Sequence, residues 1–119
     1  MRNFRELEVW KDSRKLVKEI YLLTKLLPDT EKFGLVSQIN RCVISIPANI
    51  AEGSAKYSQK DFVRFLQISL GSAYELESHL ILCADLEFIQ TNSVSPVIKR
   101  IQVLQKRIAS LIKYNNSKQ

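Results

Sequence analysis

Phe33 to Gly53 reads FGLVSQINRCVISIPANIAEG, and this stretch decides the fold. Leu35, Ile39, Cys42, Val43, Ile46 and Ile50 recur at helical spacing, while only Arg41 and Glu52 carry charge. A surface helix of a small protein keeps a charged face, so so little charge predicts cover on nearly all sides. One subunit of 119 residues can hardly supply that cover, and the segment points to assembly as well as to architecture. Small residues Ser37, Ala48 and Ala51 opposite the apolar stripe would let another helix approach. Pro47 sits inside the pattern, where it removes the amide that would bond residue 43 and should kink the helix at a cost of about 3 kcal/mol. Ser45 and Asn49 are placed to satisfy the freed backbone groups. Gly53 offers a soft termination.

Three further helical segments flank this one. The first spans about 7–27 and stops at Pro28; its apolar residues Leu7, Val9, Trp10, Leu16, Val17, Ile20, Tyr21, Leu23 and Leu27 cover more of the helical wheel than one core demands. The second, containing the opening stretch, spans about 31–55, with Asp29 or Thr30 as its N-cap. The third spans about 59–87 behind a Ser58/Asp61 capping box. In it Phe62, Leu66, Ser69, Ala73, Leu76, Leu80 and Cys83 follow a 4,3 spacing, the seam of a left-handed helix bundle. Val63, Leu70, Tyr74, Ile81 and Phe88 form a second stripe, and mid-helix Gly71 marks the close approach of a neighbouring backbone. The fourth spans about 96–114, with Ser95 as cap and Pro96 in the first turn; Val97, Ile101, Leu104, Ile108, Leu111 and Ile112 define its inner face. Three Gly and three Pro leave little material for a many-turned β fold. The expectation is one all-α domain over residues 1–119, an antiparallel up-down four-helix bundle.

The N-terminus lacks the continuous apolar core of a signal peptide, and no later run reaches the roughly 18 apolar residues of a membrane span. The chain therefore reads as cytoplasmic. Cys42 and Cys83 fall at apolar helical positions without metal-ligand spacing and read as reduced core thiols. The net charge is +6, unevenly placed. Residues 1–87 hold twelve Lys/Arg and twelve Asp/Glu, whereas residues 88–119 hold six Lys/Arg and no acid. A segregated cationic surplus directs attention to polyanionic partners.

The Phe33–Gly53 stretch, GSAYELESHL at Gly71–Leu80 and FRELEVWKDSRKLVKEIYLLT near the start together resemble the bacterial four-helix-bundle family first found encoded in intervening sequences of 23S ribosomal RNA genes. The resemblance runs from about Phe4 to Ile112, and SIPANIAEG is its most specific signal. It implies assembly as a homopentameric barrel. The family usually carries two adjacent arginines where this chain has Asn40 and Arg41, a departure that removes the first of them. The fold is also similar to the accessory variability proteins of diversity-generating retroelements, basic pentamers that bind nucleic acid and a reverse transcriptase.

Catalytic groups are scarce. His79 is the single histidine, and Glu75 one turn earlier makes a pair short of the carboxylates and second histidine that a di-iron bundle requires. No phosphate-cradling glycine loop or nucleophile motif occurs. The reading is of a protein that is not an enzyme, with no cofactor and no metal site. On the fourth segment Lys99, Arg100, Lys106, Arg107 and Lys113 form a basic face suited to RNA or DNA phosphates, which bind by counterion release without sequence reading. The same face also suits an acidic protein, the alternative being a protein–protein scaffold. Arg41 and Glu52 lie about 16 Å apart along one helix, too far to pair with each other, and are assigned to an oligomer interface.

Overall fold

Helical periodicity becomes four helices in the computed structural model, which describes residues 2–118. They are α1 Glu8–Thr24, α2 Leu35–Ser54, α3 Gln59–Asp85 and α4 Thr91–Asn116, with single 3-10 turns at Phe4–Glu6 and Asp29–Glu31. Consecutive helices pack against one another and α4 closes back on α1, giving an antiparallel up-down four-helix bundle of 46 × 23 × 19 Å. The 4,3 repeat of α3 is its spine: Phe62, Leu66, Ser69, Ala73, Leu76, Leu80 and Cys83 are all buried. They share one core with Leu16, Ile20 and Leu23 of α1, Ile39, Val43, Ile46 and Ile50 of α2, and Val97, Ile101, Leu104 and Ile108 of α4. Each such Leu or Ile, removed fully from water, contributes about 1.5–3 kcal/mol before conformational entropy is set against it.

The helix ends depart from the sequence pattern in ways the backbone explains. α4 begins at Thr91, ahead of Ser95 and Pro96, because Val94 is buried and anchors an additional first turn. Ser95 does not cap; its hydroxyl donates to the Thr91 carbonyl at 2.9 Å. Pro96 stands in the second turn. α2 begins at Leu35, since Gly34 (φ −103°, ψ −110°) interrupts the chain after the 3-10 turn. Neither Asp29 nor Thr30 is its cap: the carboxylate of Glu31 accepts from the Leu35 amide at 3.2 Å. α3 opens at Ser58, whose hydroxyl accepts from the Asp61 amide at 3.0 Å. It closes without glycine, as Glu87 takes φ 61° and the Phe88 and Glu87 amides bond the Cys83 and Ala84 carbonyls. That is a Schellman stop in which a glutamate carries the left-handed residue. Arg2 locks the α2–α3 corner, its guanidinium bonding the Lys56 carbonyl and Gln59 and lying 4.0 Å from the Phe62 ring centre.

α2 continues through Pro47, and polar side chains tie this part of it to α3. The Ser45 and Ser72 hydroxyls meet at 2.7 Å, Ser69 donates to the Ile46 carbonyl at 2.9 Å, and the Cys42 thiol lies 2.9 Å from the Ser72 carbonyl. The Asn49 amide serves the Ser45 carbonyl and hydroxyl, not the Val43 carbonyl that Pro47 leaves free. Gly53 is not a terminator. It lies inside α2 with no positive φ, and a Cβ there would stand 2.7 Å from that of Phe65. Gly71 shows the reverse: an added Cβ would meet nothing within 4 Å, so the close approach expected there is absent within the subunit. The two glycines should therefore respond oppositely. Gly53→Ala should lower stability by about 1–3 kcal/mol through overpacking, whereas Gly71→Ala should raise subunit stability by up to about 1 kcal/mol through helix propensity. Urea denaturation of the two variants checks both signs.

Candidate nucleic-acid interface

The buried stripe of α4 fixes where its charges point. At 100° per residue, Lys99, Lys106 and Lys113 share the side of the helix opposite Ile101, Leu104 and Ile108, and all three are exposed. They stand about 10.5 Å apart in a row about 21 Å long. None forms an ion pair among the described residues. Arg100 and Arg107 lie a further 100° around and lean toward α1. The Arg100 guanidinium holds Glu19 in a fork, with Nε 3.0 Å from Oε1 and Nη2 on Oε2. This hydrogen bond raises the arginine pKa still further, so the group stays charged. Arg107 bonds Asp12 through Nη1. On the other flank, Gln102 and Gln105 both donate to Glu77 of α3, at 3.0 and 2.8 Å. The structure thus divides the five sequence-identified cations into two arginines that bridge helices and three lysines that face solvent.

Charge is sorted across the bundle in the same sense. α4 carries five basic residues and no acid, α3 two basic and four acidic, and α2 one of each. Between α1 and α4 runs a groove of about 290 Å³ with Leu16, Val103 and Leu104 on its floor and Lys15, Arg100 and Arg107 on its rim.

Comparison with known proteins gives this fold a family. The model of the 23S rRNA-intervening sequence protein family matches residues 5–110. The chain belongs to that family. A crystal structure from Bacteroides thetaiotaomicron, described as a protein with unknown function from the S23 ribosomal protein family, superposes with a TM-score of 0.82 at 31% identity. The match covers 88% of this chain and 98% of that one. Among curated proteins, none matches.

Adjacent in sequence, Asn40 and Arg41 part company in the fold. Asn40 accepts a 3.2 Å hydrogen bond from Thr24 and ties α2 to α1, while Arg41 points outward. Arg41 and Glu52 are both exposed on the outer crest of α2, with Ser37, Ile44, Ala48 and Ala51 along the same side. Neither forms an ion pair among the described residues. Ile44, Ile68 and Leu82 are each more than 40% exposed on this side of the α2–α3 pair, and Gly71 lies near them on α3.

His79 and Glu75 do meet, Nε2 to Oε2 at 3.0 Å, and His79 Nδ1 is buried without a partner. No group of three or more His, Cys, Asp or Glu comes together to hold a metal among the described residues. No described helix is long and apolar enough to cross a membrane.

The cysteines are separate and buried. Burial first, and the nearby Glu75 charge second, push the Cys42 thiol up to about 12; burial and then Glu31 push Cys83 upward as well. The unfolded chain releases these protons near pH 8.5. The folded state holds them, so this contribution to stability is complete below about pH 8.5 and is lost as pH rises toward 12. A thiol reagent at pH 8 should leave the native protein unlabelled and react with both cysteines in urea. Cys42→Ala should flatten the decline of the urea midpoint between pH 9 and 11.

Proposed function

We propose that this protein is a non-catalytic, oligomeric binder of nucleic-acid phosphates, acting through Lys99, Lys106 and Lys113. The observation that carries this reading is the outward lysine row itself. Its neighbours Arg100 and Arg107 are already neutralised by Glu19 and Asp12, so the row presents charge that no acid among the described residues pairs with. Cations with no assigned partner release counterions from a phosphate chain on contact, which favours binding at low salt and reads no sequence. Arg100 and Arg107 enter by engaging Glu19 and Asp12, which keeps those acids from the lysines. Fluorescence anisotropy of a labelled structured RNA and a matched DNA duplex tests the reading across 50–300 mM salt. Wild-type protein should bind with log affinity falling linearly in log salt, and Lys99/Lys106/Lys113→Glu should abolish binding while circular dichroism stays helical. Absence of binding by the wild type at 50 mM salt would favour the protein–protein scaffold instead.

Assembly is the second part of the proposal. The exposed Ile44, Ile68 and Leu82 and the small residues beside them favour burial of this crest against a further copy of the chain, in a homopentamer as the family resemblance implies, with Arg41 and Glu52 finding their ion-pair partners across the interface. Native mass spectrometry should then give five subunits. Arg41→Ala should shift the population toward smaller species at micromolar concentration; an unchanged mass on dilution would remove Arg41 from the interface.

A further inference from the structure

α1 conceals a second cationic row. Its sequence looks nearly neutral, with Lys11, Arg14, Lys15 and Lys18 against Glu8, Asp12 and Glu19. The fold separates these charges. Asp12 and Glu19, seven residues apart, face the α4 seam and are bound by Arg107 and Arg100. Lys11, Lys18 and the C-cap residue Lys25 are also seven residues apart, all exposed, and lie on the side of α1 opposite the buried Val9, Leu16 and Ile20. Lys11 keeps only a loose contact with Glu8, 3.6 Å between exposed groups, of the kind that contributes little. Lys18 and Lys25 form no ion pair among the described residues.

The two ion pairs also set the register of the antiparallel helices. Glu19 lies level with Arg100 and Asp12 with Arg107, which places Lys18 within about 3 Å of the height of Lys99, and Lys11 equally close to that of Lys106. Two rows of lysines thus flank the α1–α4 groove, each with about 10.5 Å between successive charges. We propose that Lys11, Lys18 and Lys25 complete the phosphate-binding face and that the two rows together grip the two backbones of a double helix; this rests on the phosphate-binding reading of α4.

A double helix fits better than a single strand because the groove between the rows offers no ring for bases to stack on. The groove floor is Leu16, Val103 and Leu104, without an aromatic ring to stack on. Phe4 and Trp10 pack on each other at 5.0 Å outside the space between the rows, in a depression beyond the α1 row that Lys11 and Lys18 also line, and Arg5 and Arg14 lie over their rings. Tyr114, at the end of α4, has Lys118 4.5 Å from its ring centre. A single strand can follow one row; occupying both at once takes two phosphate chains.

The test compares wild type, Lys11/Lys18/Lys25→Gln and Lys99/Lys106/Lys113→Gln on labelled 20-base-pair DNA and RNA duplexes and on the corresponding single strands, between 50 and 300 mM salt. Circular dichroism and native mass confirm that each variant is folded and assembled. Each variant should weaken duplex binding and reduce the steepness of the DNA salt dependence by about 2.7 or more, the value for three neutralised phosphates. The duplexes should bind more tightly than the single strands. An α1 variant that keeps the wild-type slope while the α4 variant loses it would overturn the second row and leave the α4 reading standing. Single strands bound as tightly as duplexes would overturn the double-helix assignment, and no salt-dependent binding by the wild type would overturn both readings.

Discussion

The close contact of α2 with α3 is the constraint from which the remaining arrangement follows. Gly53 brings the α2 backbone against Phe62 and Phe65, and Ser45, Ser69 and Ser72 replace bulk with hydrogen bonds where the helices run nearest. Such polar groups are tolerable in a buried seam only because each has a partner. Drawing these two helices together places the large side chains of α3 at the centre of the bundle and leaves α1 and α4 as the least closely packed neighbours. Their seam is consequently bridged from outside its apolar floor, by long arginine side chains reaching to Glu19 and Asp12. Exposed ion pairs of this sort add little stability. Their larger effect is electrostatic sorting, because they consume the acids that would otherwise lie beside the lysines.

Much of this fold was legible because burial has a period. The 4,3 repeat of α3 is buried at every one of its seven positions, and the stripe Ile39, Cys42, Val43, Ile46, Ile50 is buried along α2. Ends were harder to read, for identifiable reasons. Val94 extends α4 backward through a tertiary contact that local capping chemistry does not encode, and Glu87 adopts a backbone conformation normally signalled by glycine. Gly53 and Gly71 look alike in the sequence, because a glycine in a helical pattern carries no mark of whether it serves conformation, close packing within the subunit or neither. Only the 2.7 Å approach at Gly53 and the open space at Gly71 separate the cases.

The candidate site was legible by half. Five cations on one acid-free segment stood out in a count of charges, but their division into lysines facing water and arginines facing α1 depends on where α1 places Asp12 and Glu19. Lys11, Lys18 and Lys25 escaped notice because neighbouring acids cancel them in any sum along the chain. Their seven-residue spacing was the available signal, the same spacing that aligns Lys99, Lys106 and Lys113 on α4.

Net charge along a segment and charge on a surface are different quantities, and this bundle shows how a fold converts one into the other. An acid beside a lysine in sequence screens it only if both point the same way. A seven-residue interval returns nearly to the same face of a helix, so acids and lysines spaced this way occupy two separate lines that do not mix. α1 directs its acidic line into the seam, where α4 supplies arginines at matching intervals, and its basic line into solvent. The pairing across the seam therefore holds two helices in register and aligns two rows of cations at the same time. The arginines that bridge the helices are for this reason part of any phosphate-binding role of the lysines, without needing to touch a phosphate themselves.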